Sequence, residues 1–194
     1  MISRVGRGKY TLKTKSNYSP EIPHKLETIN SKLKKSFPFS TLCLWDSSLL
    51  NEFSIHQSIK SFFIIEVEKD SVESIFHFLK DSRFTVFIEP SQAVFENYAI
   101  SENNFIIVKP LISESPIQSI KNMNTVTLEK MLVDIFCDKI IFSAYKGNEM
   151  KTIFIGAFNK YAINKNKLLR YANRRGKREQ LKKYLKLING NKAV

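Results

Sequence analysis

Three acids and a lysine in the first half of the chain come close to a metal-dependent phosphodiesterase pattern. Asp46 closes one apolar run, and "EVEK" places Glu66, Glu68 and Lys69 at the end of the next. Metal-dependent nucleases hold a divalent ion between an acid on one strand and a D/E-x-K pair on the following one, with the lysine assisting the attacking water. Glu66 and Glu68, as alternate residues, share one strand face, but Lys69 falls one position late and points to the opposite side if the strand persists. Strand-end carboxylates in solvent and charge at a helix N-terminus account for the same residues. Other chemistries have less to build on. None of Gly6, Gly8, Gly147, Gly156, Gly176 and Gly190 follows a strand of the α/β pattern, which disfavours a phosphate-cradling loop. There is no G-x-S-x-G elbow, Cys43 and Cys137 form no CxxC pair, and His24, His56 and His77 lack metal-ligand spacing. No catalytic residue, cofactor or metal site is expected.

Positive charge is the second chemical signal. The chain carries +13 over 194 residues; residues 1–15 hold five basic residues and no acid, residues 165–192 hold eleven against Glu179 alone, and the long middle is nearly neutral at −2. Lysines and arginines gathered in this way displace counterions from a phosphate backbone and give salt-dependent affinity without sequence readout. The candidate nucleic-acid ligands are Arg4, Arg7 and Lys9 on the Gly-Arg-Gly ribbon "VGRGKYTL", and Lys165, Lys167, Arg170, Arg174, Arg175, Lys177 and Arg178 near the other end. Tyr171, inside the second group, could stack on a base or pack on the core. A solvated basic helix would carry the same residues.

The elements that must position these groups read as one main unit with a ribbon before it and helices after it. A chain of this length, 43% hydrophobic, can bury a substantial core. Ile22, Leu26, Ile29 and Leu33 recur at helical spacing through Lys35, with Pro20 and Pro23 at the entry. Residues 41–45, 61–68, 83–89 and 104–111 read as strands. Between them lie "DSSLLNEF", opened by a capping Asp46; a helix with the stripe Val72, Ile75, Phe76 and Leu79 and an Asp70/Glu73 capping box; and a short helix around "SQAVFENY". This alternation predicts an α/β fold: a mainly parallel sheet of about four strands with crossover helices covering both faces. Beyond Pro116 the pattern turns helical. Leu128, Met131, Leu132, Ile135 and Phe136 share one face, "EMKTIFIGAFNKY" follows, and the basic end divides into two helices at Gly176. The predicted units are a wing-like β-ribbon over 1–16, an α/β core over 17–116 and a helical, basic region over 117–194 packed on that core. The apolar runs are too short to cross a bilayer and the first residues lack a signal core, so a cytoplasmic location and no membrane partner are expected.

Taken together, "ISRVGRGKYTL", "LWDSSLLNEFSIHQ", "FFIIEVEKDSVESIFHFLK", "TLEKMLVDIFCDK" and "LLRYANRRGKREQLKKYL" resemble the AbiEi-type antitoxins and transcriptional regulators of type IV toxin–antitoxin systems. The resemblance spans nearly the whole chain, and its motifs are packing patterns rather than catalytic signatures. It implies a winged-helix head followed by an α/β domain and helices, with "RVGRGKY" as the end of the wing and the recognition helix upstream of Met1. A wing meets backbone or minor groove, whereas a recognition helix reads base edges, so the ribbon alone is not expected to select a sequence. The resemblance also implies a functional partner similar to a nucleotidyltransferase toxin, commonly countered without a stable complex. The leading expectation is therefore a non-enzymatic, antitoxin-like regulator that contacts nucleic acid, DNA in preference to RNA, through its basic ends. The alternative is a metal-dependent nuclease-like enzyme of restriction-endonuclease type using Asp46, Glu66, Glu68 and Lys69. A protein-interaction module with no nucleic-acid role is a third reading.

Overall fold

Strands that are apolar on both sides need cover on both sides, and this requirement organises the protein. A computed structural model describes residues 2–6, 9–12, 15–56, 60–99 and 105–190. The ribbon is present as β1 (Ile2–Gly6) paired antiparallel with β2 (Lys9–Leu12), Arg4 standing opposite Tyr10. After α1 (His24–Ser36) come β3 (Leu42–Asp46), β4 (Phe63–Val67), α2 (Val72–Asp81), β5 (Val86–Ile88), a single helical turn α3 (Gln92–Val94) and β6 (Ile106–Pro110). They form a four-stranded sheet in the order β3-β4-β6-β5, parallel throughout except where β3 meets β4. The α/β fold class, with a mainly parallel sheet and a helical C-terminal region, is thus the one the periodicity predicts.

Alternation along the strands divides the interior into two cores. Leu42, Leu44, Phe63, Ile65, Val67, Ile106 and Val108 face Leu26, Ile29 and Leu33 of α1 and Val72, Ile75 and Leu79 of α2. Cys43, Trp45, Ile64 and Ile107 face the other way, against the helices that follow the sheet. These are α4 (Leu128–Cys137), α5 (Asn148–Lys160), α6 (Lys165–Arg174) and α7 (Arg178–Gly190). Each fully buried side chain of this size contributes about 1.5–3 kcal/mol, which is why one apolar stripe per helix suffices to hold it. Among the described residues, no helix is long and apolar enough to cross a membrane.

Four expectations need correction. The crossover assumed between β3 and β4 is not made: the Ser47 N–H donates to the Phe62 carbonyl at 3.0 Å and the Phe62 N–H to Ser47 Oγ at 2.9 Å, so the connection returns at the same edge and β3 runs antiparallel. Strand β5 begins at Val86 rather than residue 83, because Arg83 adopts φ 63° and donates to the Lys80 carbonyl, turning 83–84 into the end of α2. The Asp70/Glu73 capping box is not formed, since Lys69–Ser71 make a 3-10 turn and no side chain caps α2. Finally, the region after Pro116 starts with a hairpin, β7 (Ile117–Ile120) and β8 (Met123–Val126), β8 lying beside β3. Its two-residue loop, Lys121 and Asn122, has both φ values positive (48° and 60°), the type I′ geometry that suits a hairpin's twist.

Candidate nucleic-acid interface

Helix α4 is the key to where charge goes. Thr127 caps it, Oγ1 accepting from the Lys130 N–H at 3.3 Å, and the helix is then buried on every side from Leu128 to Ile135. Polar residues on such a helix must find partners inside the protein. Lys130 Nζ lies 2.6 Å from Glu66 Oε2 and 2.5 Å from Asp134 Oδ2. The Tyr171 hydroxyl donates to Asp134 Oδ1 at 2.8 Å, and Arg175 Nη1 donates to the same oxygen at 3.0 Å. Arg175 also pairs with Asp138, which in turn pairs with Lys109 on β6, directly across from Glu66 in the sheet. Three cations meet three carboxylates, and the sheet is tied through α4 to α6.

Titration follows from this arrangement. Burial lifts the Glu66 carboxyl above its ordinary range, with Lys130 pulling the other way. Burial works against ionisation of Asp134 too, but Lys130, Lys109 and Arg175 together hold it below the usual carboxylate range. Burial opposes the charge on Lys130, and Asp134 and Glu66 overcome that, raising the ammonium well above an ordinary lysine. A neutral cluster whose charges are already partnered has none left for a ligand. It is an internal brace.

The nuclease constellation comes apart on the same geometry. Glu66 is consumed by Lys130. Asp46 shares the parity of Leu44 and so lies on the opposite sheet face, its Oδ1 accepting the Ser48 N–H at 2.8 Å as a cap. Glu68 accepts the Thr41 N–H at 2.7 Å at the sheet edge, and Lys69 opens the 3-10 turn, exposed. Among the described residues, no three His, Cys, Asp or Glu side chains are grouped so as to hold a metal ion.

The predicted nucleic-acid ligands also separate. Arg175 is an internal partner of Asp134 and Asp138 rather than a surface cation, and Tyr171 is core, 1% exposed. Arg174 pairs with Glu114 at the surface. Arg170 and Arg178 are exposed, and Lys177 is half-buried in a cleft beside α7. Arg4 lies on β1 and Lys9 opens β2, while Arg7 lies outside the described residues.

Lys165 and Lys167 have a different setting, one that brings the two ends of the chain together. Ser16 forms a parallel bridge with Tyr161, the Ala162 N–H donates to the Ser16 carbonyl at 3.0 Å, and Lys15 donates to the Phe158 carbonyl. Tyr18, 8% exposed, seals the junction with its ring 5.1 Å from that of Tyr161. A cleft of about 670 Å³ opens here, its polar lining made of Lys15, Asn17, Glu129, Asn159, Asn164, Lys165 and Lys167. The acid in it is occupied, Glu129 accepting the Asn164 N–H at 2.8 Å, and Asn164 caps α6 by accepting from the Lys167 N–H at 3.0 Å. Neither Lys165 nor Lys167 makes an ion pair among the described residues. Leu12, the end of β2, is three peptide steps from Lys15 and therefore within about 11 Å of it. The last strand of the ribbon therefore ends three residues before a lysine-lined cleft. Sequence reasoning missed this because the contact of Ser16 with Tyr161 spans most of the chain and depends on backbone atoms, which carry no residue signature.

The chain belongs to a family of unknown function, DUF6577, whose model matches residues 1–191. No curated protein and no solved structure matches it.

Proposed function

We propose that this protein is a non-enzymatic, antitoxin-like regulator of the cytoplasm that contacts nucleic acid, DNA in preference to RNA, across a basic face assembled from its two ends. The observation that carries the nucleic-acid part is the seating of Ser16 on Tyr161, by which Lys15, three residues after the end of the ribbon, comes to line one cleft with Lys165 and Lys167 at the start of α6. Two positive segments far apart in sequence then act as one surface, and a contiguous surface engages several phosphates at once where isolated lysines engage one. Lysines and a ribbon edge hold backbone phosphates and do not read base edges, so affinity should be similar for unrelated sequences of equal length. The regulatory and antitoxin parts rest on the resemblance of the packing motifs to AbiEi-type proteins, with a nucleotidyltransferase-like toxin as the functional partner, countered with or without direct binding.

The test is fluorescence anisotropy with a labelled DNA duplex and an RNA of the same length, at several salt concentrations. Wild-type protein should bind with log K falling linearly in log salt, and Lys165→Ala/Lys167→Ala should reduce the steepness of that line by about one to two phosphate equivalents. Binding that is insensitive to salt, or unchanged both in this variant and in Arg4→Ala/Arg7→Ala/Lys9→Ala, refutes the proposed face. The antitoxin part is checked separately, by co-expression with a nucleotidyltransferase-like toxin: restored growth supports it, and continued arrest opposes it.

A further inference from the structure

A second cleft, sharing no residue with the junction of the chain ends, has the lining of a small-molecule site. It encloses about 500 Å³ between the end of α4 and the starts of α5 and α7, and is lined by Phe136, Lys139, Lys146, Gly147, Met150, Lys177 and Gln180. That volume is within the range of ligand pockets, roughly 300–1,000 Å³. Three of its side chains are lysines and none is an acid. Lys139, Lys146 and Lys177 make no ion pair among the described residues. The nearby carboxylates are turned elsewhere: Asp138 holds Lys109 and Arg175, and Glu149 Oε1 accepts the Ile55 N–H at 2.9 Å.

Three ammonium groups without an ion-pair partner among the described residues focus positive potential into one concavity, although Asp138 and Glu89 line the adjoining cleft with Lys139 and Lys177, and a bound anion relieves their mutual repulsion. The wall between them is apolar. Phe136 and Met150 are half-buried, presenting a ring and a thioether, while Gln180 can donate to and accept from a heterocycle edge. The backbone at the mouth is open as well: Gly147 precedes α5 at φ 61°, no side chain caps that helix, and nothing lies within 4 Å of where a Cβ would stand. A flat apolar body bearing a doubly charged, oxygen-rich group fits these features. A carboxylate offers one charge for three lysines, whereas phosphate offers about two at neutral pH and more acceptor oxygens.

We propose that this cleft binds a nucleoside 5′-phosphate, free or at the end of a strand, with the phosphate among Lys139, Lys146 and Lys177 and the base against Phe136 and Met150.

The test is isothermal titration of the full chain with AMP, with a 5′-phosphorylated deoxydinucleotide and with its 5′-hydroxyl counterpart. The phosphorylated dinucleotide should bind at least about tenfold more tightly than the hydroxyl form, and Lys139→Ala/Lys177→Ala should weaken it by a similar factor. Lys182→Ala/Lys183→Ala, on the exposed face of α7, should bind as wild type, and both variants should melt as wild type does. Binding of AMP together with the phosphorylated dinucleotide identifies the free nucleotide as sufficient, and binding of the dinucleotide alone identifies a strand end; either supports the site. The proposal is overturned if neither phosphate ligand binds, if the 5′-phosphate makes no difference, or if Lys139→Ala/Lys177→Ala leaves binding intact. It is equally overturned if binding is lost only in Lys165→Ala/Lys167→Ala, which would assign the ligand to the junction face.

Discussion

Replacing Lys130 with methionine keeps the aliphatic stem and removes one charge from the middle of the brace. Glu66 and Asp134, 0% and 1% exposed at their side chains, then face each other without the cation that lies 2.6 Å and 2.5 Å from them. Asp134 keeps Arg175 and the Tyr171 hydroxyl, but Glu66 loses its only ion-pair partner among the described residues. Removing one member of a buried pair costs about 3–5 kcal/mol, because the partner's desolvation is no longer offset. At roughly 2–4 °C per kcal/mol for a chain of this size, the midpoint of thermal unfolding should fall by about 6–20 °C. The loss should depend on pH in a stated direction. The Glu66 carboxyl is raised above its ordinary value, so the folded protein holds that proton more tightly than the unfolded chain does; its contribution to stability is present below the ordinary carboxylate range and lost as pH rises through its folded value. Without Lys130 that folded value rises further, so the deficit should be greatest near neutral pH and shrink as pH falls toward about 4–5. Adding Glu66→Gln should recover part of the loss at neutral pH and nothing at low pH. Urea unfolding of wild type, both single variants and the double variant, at several pH values, measures all of this. A Lys130→Met cost below about 1 kcal/mol at neutral pH, or a double variant no more stable than the single, would refute the brace.

Two other outcomes separate bracing from binding. Arg175→Ala should destabilise the fold by about 2–4 kcal/mol, since it strips one partner each from Asp134 and Asp138, while Lys165→Ala/Lys167→Ala should change stability by less than about 0.5 kcal/mol and nucleic-acid affinity by much more; calorimetry and anisotropy on the same preparations check the contrast. The Cys137 thiol, pushed up to about 11 mainly by burial, should alkylate far more slowly at pH 8 than a free cysteine, and rate constants for iodoacetamide labelling measured from pH 7 to 10 should still be rising at the upper end.

Much of the fold was legible because the two periods that report it are local. The helical recurrence of Leu26, Ile29 and Leu33, and the runs at 42–46, 63–67 and 106–110, place side chains on faces whatever the rest of the chain does. What escaped depended on closure rather than pattern. Antiparallel β3 follows from a hydroxyl and two backbone groups at Ser47 and Phe62, and the 117–126 hairpin turns on Lys121 and Asn122. Only Asn122 of that pair signals a left-handed conformation, since lysine rarely adopts one. A turn with Gly in the second position would have announced itself.

The site was less legible, and the reason is that charge in a sequence has no direction. Lys165, Lys167, Arg174, Arg175 and Lys177 lie within thirteen positions and read as one basic cluster, yet α6 turns about 100° per residue, and Gly176 at φ 63° reverses the chain beyond it. Arg175 is thereby carried inward to Asp134, Lys177 into the cleft beside α7, and Lys165 and Lys167 to the cleft that Lys15 also lines. One signal available in sequence could have separated them. Lys130 and Asp134 on helix α4 and Asp138 just past its end stand at successive i, i+4 spacing beside a wide apolar stripe, so a buried lysine and two acids there require a further cation from elsewhere to balance them. The same reasoning applies to Glu66, a lone acid in an otherwise apolar central strand: it demands a buried cation before it suggests a metal. Balancing the acids of buried elements first removes Lys109, Lys130 and Arg175 from the cations available to an external anion and leaves Lys139, Lys146, Lys165, Lys167 and Lys177 among those that remain.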